Sequence, residues 1–240
     1  MVFALFIGWN AFAYAADDVK ITPKIEKDDP KYVELLVQGK QALHEKKSKL
    51  AVKNYFNPII KYCSTQYKGS KKAIYSARSL EESMFYLLKD VAEHVDGEKG
   101  EGAIVIGPLC AEANYLQGYA LLELGLAEDG KKYIENAGKL SPLNSLYLSE
   151  LGHIYQTEKN WQRALEIFSK AEEYAEEFSP DKKKNFELMR AKRGIGFSLI
   201  ELGKLDEAEK KFQQCLEIDN NDRASLGELK YIRQLKQKVQ

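Results

Sequence analysis

The chain has 240 residues, 44% hydrophobic and 30% charged, enough apolar content for a continuous core and too much for a disordered chain. Lys and Arg together number 36, as do Asp and Glu, so the formal charge is zero and no overall field draws the chain to nucleic acid. Three cysteines and 16 glycines exclude a disulfide-dense toxin and a collagen-like repeat.

Residues 1–16, MVFALFIGWNAFAYAA, carry no charge, end in small residues and are followed by Asp17 and Asp18. The run reads as a secretory signal, with Ala13 and Ala15 forming an A-x-A site and cleavage after Ala15 or Ala16. It is short for a membrane span, which needs roughly 20 apolar residues. An uncleaved anchor and a buried N-terminal helix are the other readings. The absence of a basic residue after Met1 leaves room for a start further upstream. The signal implies a periplasmic protein with no integral membrane span once it is removed. Residues 17–30, with Pro23 and Pro30, form a flexible lead.

Residues 31–95 read as an irregular helical unit. YVELLVQGKQALHEKK forms a first helix and SKLAVKNYFNPIIKYCSTQY its antiparallel mate, kinked by Pro58. KKAIYSARSLEESMFYLLKDVAEH reads as a third, long amphipathic helix. In VDGEKGEGAIVIGPL four glycines and Pro108 break the helical pattern, so residues 96–108 are expected to be a hinge. This loop has the glycines of a phosphate cradle but lacks the GK[ST] ending, and Asp96, Glu98 and Glu101 fall at the wrong spacing for calcium.

From Lys46 to Leu80 nine basic residues meet no acidic one: Lys46, Lys47, Lys49, Lys53, Lys61, Lys68, Lys71, Lys72 and Arg78. Tyr55, Phe56, Tyr62, Tyr67 and Tyr75 are interleaved. In an exported chain such a surface suits an anionic envelope component or an acidic protein face rather than nucleic acid, and plain solvated lysines are the simpler reading. Cys63 and Cys110 could pair in an oxidising compartment. Three buried thiols, Cys215 included, are the favoured reading. With no Cys-x-x-Cys and only His44, His94 and His153, no metal or cofactor site is expected.

The C-terminal half repeats itself. Aligned on Gly118, Gly152 and Gly196, the units start at Ala111, Ser145 and Met189, a spacing of 34 residues and then of 44, which is 34 plus ten. The second unit carries Leu148, Leu151, Gly152, Tyr155, Ala164, Phe168 and Ala171. The third carries Ile195, Gly196, Leu199, Ala208, Phe212 and Cys215, then LEIDNND. The first has Gly118, Leu121, Gly125, Ile134, Ala137 and Pro142, with Gly130 and Gln117 as departures. On these residues the chain resembles the tetratricopeptide repeat (TPR) family, over about residues 111–222. Small residues let paired helices approach closely while large ones fill the gap between them.

The resemblance implies an all-α, right-handed solenoid of helical hairpins. Residues 109–222 hold three repeats (111–144, 145–188 and 189–222), and 223–240 form a capping helix whose face is Leu226, Leu229, Ile232, Leu235 and Val239. Setting Gly39 in the small-residue position places Ala51 and Tyr55 where the family wants Ala and an aromatic. The ten extra residues are expected to make a protruding charged hairpin, with Ser179 capping the helix that begins at Pro180.

The family's function is binding in a concave groove. Carried over position by position, the groove is lined by Glu112, Tyr115, Tyr119, Leu122 and Glu123, then Leu146, Ser149, His153, Gln156 and Thr157. Arg190, Arg193, Phe197, Ile200 and Glu201 complete it. Several of these side chains could instead pack inside the solenoid, Leu122 and Ile200 above all. The two-carboxylate clamp of chaperone-binding members is not reproduced, because Tyr115, Tyr119, Glu150 and Gly194 occupy the matching places. No catalytic motif occurs, so the chain reads as non-enzymatic. It is expected to be an adaptor or scaffold of the bacterial cell envelope that holds a peptide or helix of a protein partner. A dedicated inhibitor, or immunity-type partner, of one secreted protein is the alternative.

Overall fold

A computed structural model describes residues 25–93 and 102–239. The expected signal, most of the lead and residues 96–101 of the hinge lie outside the described residues. The first hairpin is α1 (Pro30–His44) followed by one continuous helix made of α2 (Ser48–Leu50), a π-helical stretch (Ala51–Phe56) and α3 (Asn57–Gln66). Next come β1 (Ala73–Ser76), α4 (Leu80–Glu93) and β2 (Ala103–Ile106). Three helical hairpins follow: α5 (Leu109–Glu123) with α6 (Ala127–Leu140), α7 (Ser145–Thr157) with α8 (Trp161–Phe178), and α9 (Asp181–Glu201) with α10 (Leu205–Ile218). Helix α11 (Arg223–Val239) closes the chain. The architecture is a TPR-like helical-hairpin solenoid with one small sheet at its side.

The hairpins are built on one pattern. A Cβ on Gly152 would lie 2.7 Å from the Phe168 ring, one on Gly196 2.7 Å from Phe212, and one on Gly118 2.6 Å from Ile134. In each case the large residue is sixteen positions on, and glycine is needed because the ring or branched chain occupies the Cβ position. Gly194 closes the other side of Phe168. Seven positions after each glycine the chain turns through a left-handed residue: Gly125, Lys159 and Gly203, with φ of 77°, 57° and 74°.

The N-terminal hairpin follows the same pattern with one residue more. Lys46, seven positions after Gly39, has φ of 59°, and Ala51 takes the small position twelve after it, fully buried. The ring against Gly39 is that of Phe56, seventeen positions on, rather than Tyr55; a Cβ on Gly39 would lie 2.5 Å from it. The extra residue is absorbed by the π-helical stretch, where the Asn57 N–H bonds the Val52 carbonyl five residues back. The stretch ends two positions before Pro58, whose ring and missing N–H break the ordinary ladder.

The third-helix expectation is corrected over its first turns. Residues 73–76 form β1, paired in parallel with β2 so that Ala73 faces Ala103 and Ser76 faces Ile106. Ile74, Tyr75, Ile104, Val105 and Ile106 are the β-branched and aromatic types that suit a half-buried strand. The expected hinge thus ends in a strand. Glu26 bridges the other edge of β2.

The added hairpin segment does not simply protrude. The ends of α8 and α9 lean on α4: Phe178 meets Phe85 edge to face at 5.0 Å, and Tyr174 and Phe178 pack with Tyr86, Val105 and Leu143. Ser179 does not cap α9. Pro180 holds the cap position, and the Ser179 hydroxyl bonds Glu187. Arg78 is the tie. It donates to Glu82 at 2.6 Å and to Glu187 at 3.2 Å, and both carboxylates are buried.

Cys63 and Cys110 are joined by a disulfide with Cα atoms 5.9 Å apart, and only Cys215 is a free thiol. This overturns the expectation of three buried thiols. The bond ties α3 to α5 and hence the N-terminal hairpin to the next. At the other end Ile232 is fully buried and Leu229 nearly so, against Phe212, Leu199 and Ile200. Leu226, expected on that face, is 46% exposed.

Candidate functional site

Helices α7, α9 and α11 enclose a concave pocket of about 360 Å³. Five of the expected groove residues line it: His153, Gln156, Arg190, Arg193 and Phe197. The spacing on α9 explains the grouping, since residues 190, 193 and 197 fall on one helical face. Phe197 stays 37% exposed beside Trp161, whose ring centroid is 6.1 Å away.

The two arginines are held in place. Arg190 is ion-paired with Glu150 of α7, and Arg193 reaches Asp222 at 3.1 Å. Although burial pushes Asp222 up, the Ser225 hydroxyl and Arg193 hold its carboxyl below the usual range. Gln156 donates to the Gly194 carbonyl at 2.9 Å and to the Ser198 hydroxyl at 3.0 Å, fixing α7 to α9. Its amide oxygen lies 3.0 Å from His153 Nδ1. Burial first, and then the charge of Arg190, hold the His153 imidazole below its ordinary value. It therefore faces the pocket neutral at pH 7.

The remaining expected groove residues lie further along the concave side or beneath it. Tyr115 stacks on Tyr147 at 4.9 Å and donates to Glu150 at 3.3 Å, and burial pushes its phenol up. Glu112 pairs with Lys40 at 2.7 Å, and Glu123 accepts from Ser48 at 2.7 Å. Tyr119 is 39% exposed. Ser149 is a correction: it is fully buried between helices and cannot touch a ligand in the groove, while Ile200 packs inside, the alternative already open for it. Phe212, Ala224 and Glu228 line the pocket without having been expected there. The apolar stripe of α11 showed where that helix packs, but not which of its polar residues reaches the groove.

The basic run divides. Lys46, Lys47 and Lys49 border an open depression of about 650 Å³ with Glu123, and Lys53, Lys61, Lys68, Lys71 and Lys72 are exposed. Lys47 pairs with Glu45 at 2.7 Å. Arg78 is corrected out of this surface, because its side chain is only 10% exposed and serves the buried tie to Glu82 and Glu187. Among the described residues no His, Cys, Asp and Glu cluster is arranged to hold a metal ion, and no helix is long and apolar enough to cross a membrane.

Residues 194–222 match the tetratricopeptide repeat family. Among solved structures, nearly identical TPR-like repeats from Podosopora anserina share 11% identity over 87% of each chain, with a TM-score of 0.57. MamA from residue 41 to its end, from Desulfovibrio magneticus RS-1, shares 14% identity over 87% of each chain at a TM-score of 0.54. A double mutant of RS-1 MamA covers 87% of this chain and 86% of its own, with 13% identity and a TM-score of 0.53. At such identities the likeness is one of fold. A comparison with curated proteins finds no match.

Proposed function

We propose that the chain is a non-enzymatic protein-interaction module that holds a peptide or helical segment in its concave groove, as an adaptor or scaffold of the bacterial cell envelope. One observation carries the reading: a pocket sized for one or two side chains, in which exposed Phe197 lies beside Arg190 and Arg193. An aromatic or aliphatic anchor would cover Phe197, while an acid could exchange into the ion pairs that the arginines already make. The disulfide favours an oxidising compartment, in keeping with the apolar residues 1–16.

The test is a crosslinking pull-down with the tagged full-length chain, combined with fractionation that looks for processing near Ala15. Several substoichiometric envelope proteins support the adaptor. One partner at equal stoichiometry supports a dedicated inhibitor instead. Unprocessed protein in the cytoplasm contradicts the compartment. Phe197→Ala is expected to weaken the captured partner about tenfold or more, in line with the loss of a central aromatic anchor; unchanged affinity contradicts the groove.

A further inference from the structure

Most acids around the pocket have partners. Glu112 has Lys40, Glu123 has the Ser48 hydroxyl, Glu150 has Arg190 and Tyr115, and Asp222 has Arg193 and Ser225. Glu228 lines the same pocket from α11, and among the described residues nothing bonds or ion-pairs with it. It is half-buried. Burial raises its carboxyl above the ordinary range, and no neighbouring cation offsets the effect.

A carboxylate drawn partly out of water without a counter-ion costs stability, so a chain gains by pairing it or replacing it. Here neither has happened. Glu228 lies six positions after Asp222, which immediately precedes α11, about 9 Å at the usual helical rise. Arg193 is pinned at the Asp222 end, which leaves the Glu228 end as an anionic site in the pocket that the exposed Phe197 ring also lines. Ala224, one turn before Glu228, also lines the pocket.

We infer that Glu228 is a specificity residue of the groove: it receives a Lys or Arg side chain of the bound segment, whose methylene stem lies over Phe197. The inference rests on the groove reading above and narrows its partner. Because the two arginines are already matched by Glu150 and Asp222, the unmatched charge of the pocket is negative. A basic residue beside the apolar anchor is therefore recognised more strongly than an acidic one.

The test uses the full chain, disulfide intact, with a positional-scanning library of fluorescent decapeptides centred on Phe, read by anisotropy. The expected result is a preference for Lys or Arg over Gln at one position by about tenfold, as for one charge-assisted contact. Glu228→Gln abolishes that preference and keeps the preference for Phe; Glu228→Lys reverses it toward Glu. An unchanged basic preference in Glu228→Gln, or none in the parent chain while Phe is still selected, overturns the inference and leaves the groove reading standing. A library that shows no binding overturns both. Thermal melts separate recognition from structure: Glu228→Gln is expected to melt at the same temperature or higher, and a clear drop would assign Glu228 a structural role.

Discussion

Phe168 sits between two helices that carry glycine on the faces it touches, Gly152 of α7 and Gly194 of α9. Gly152→Ala would drive a methyl group into the ring, and overpacking of this kind costs about 1–3 kcal/mol; denaturant melts should show a lower midpoint with an unchanged slope. Lys159 is the opposite case. It adopts φ of 57° where the equivalent turns use Gly125 and Gly203, so Lys159→Gly should stabilise the chain by about 0.5–1 kcal/mol. His153 links stability to pH. Its folded value lies below the unfolded 6.5, so on acidification the unfolded chain takes up a proton that the native one refuses. Stability is complete above pH 6.5 and falls as the pH drops toward the depressed value. His153→Gln should flatten that part of the stability profile. A variant that follows the parent curve would show that another group governs it. Gly152, Phe168 and the face of α9 were legible from spacing alone. Ser149 and Glu228 were not, because position in a repeat does not say which polar residue is covered by its neighbour helix.

The first hairpin shows how a helix keeps its packing partner after gaining a residue. Counting sixteen from Gly39 gives Tyr55, but the ring in place is Phe56, because the π-helical stretch takes up the difference. Deleting exposed Asn54 should restore a regular helix and leave Phe56 against Gly39, with stability within about 1 kcal/mol of the parent. Deleting exposed Ser169 from α8, just after Phe168, should by contrast turn the following buried Ala171 and Ala175 off their face and abolish cooperative unfolding. The disulfide tethers this hairpin across a separation of 47 residues. Cys63→Ser with Cys110→Ser should lower stability by about 2–4 kcal/mol, and alkylation of the unreduced, unfolded parent should label Cys215 alone. Spacing could not reveal the pair, since Cys63 and Cys110 meet only when α3 lies on α5. The strands escaped for a related reason. AIYS and AIVI are short, and one extends a basic helical-looking stretch while the other follows a glycine-rich one; pairing across α4 makes them strands.

Across the whole molecule, neutrality conceals a division. Between Lys31 and Lys72 ten lysines stand against Glu34 and Glu45, a surplus of eight positive charges in a chain whose formal charge is zero. The concave pocket lies at the other end of the solenoid, with its charges locally matched except at Glu228. The two regions should therefore respond differently to salt, since exposed charges are screened over about 8–10 Å at ordinary ionic strength. Partner binding that weakens steeply between low and physiological salt would assign contact to the lysines, whereas groove binding anchored on Phe197 should change little. The overall repeat architecture was legible because its glycines and large residues recur at fixed spacing. The side sheet, the tie through Arg78 and the lean of α8 and α9 onto α4 depend on contacts between segments that have no repeat to announce them. Site-specific photocrosslinking in the producing cells tests the groove as the binding surface, with the reactive group at Phe197 or, as the comparison, at Lys170 on the exposed face of α8. A discrete adduct is expected from Phe197 and none from Lys170. An adduct from Lys170 with none from Phe197 would place the binding surface outside the groove and contradict that reading.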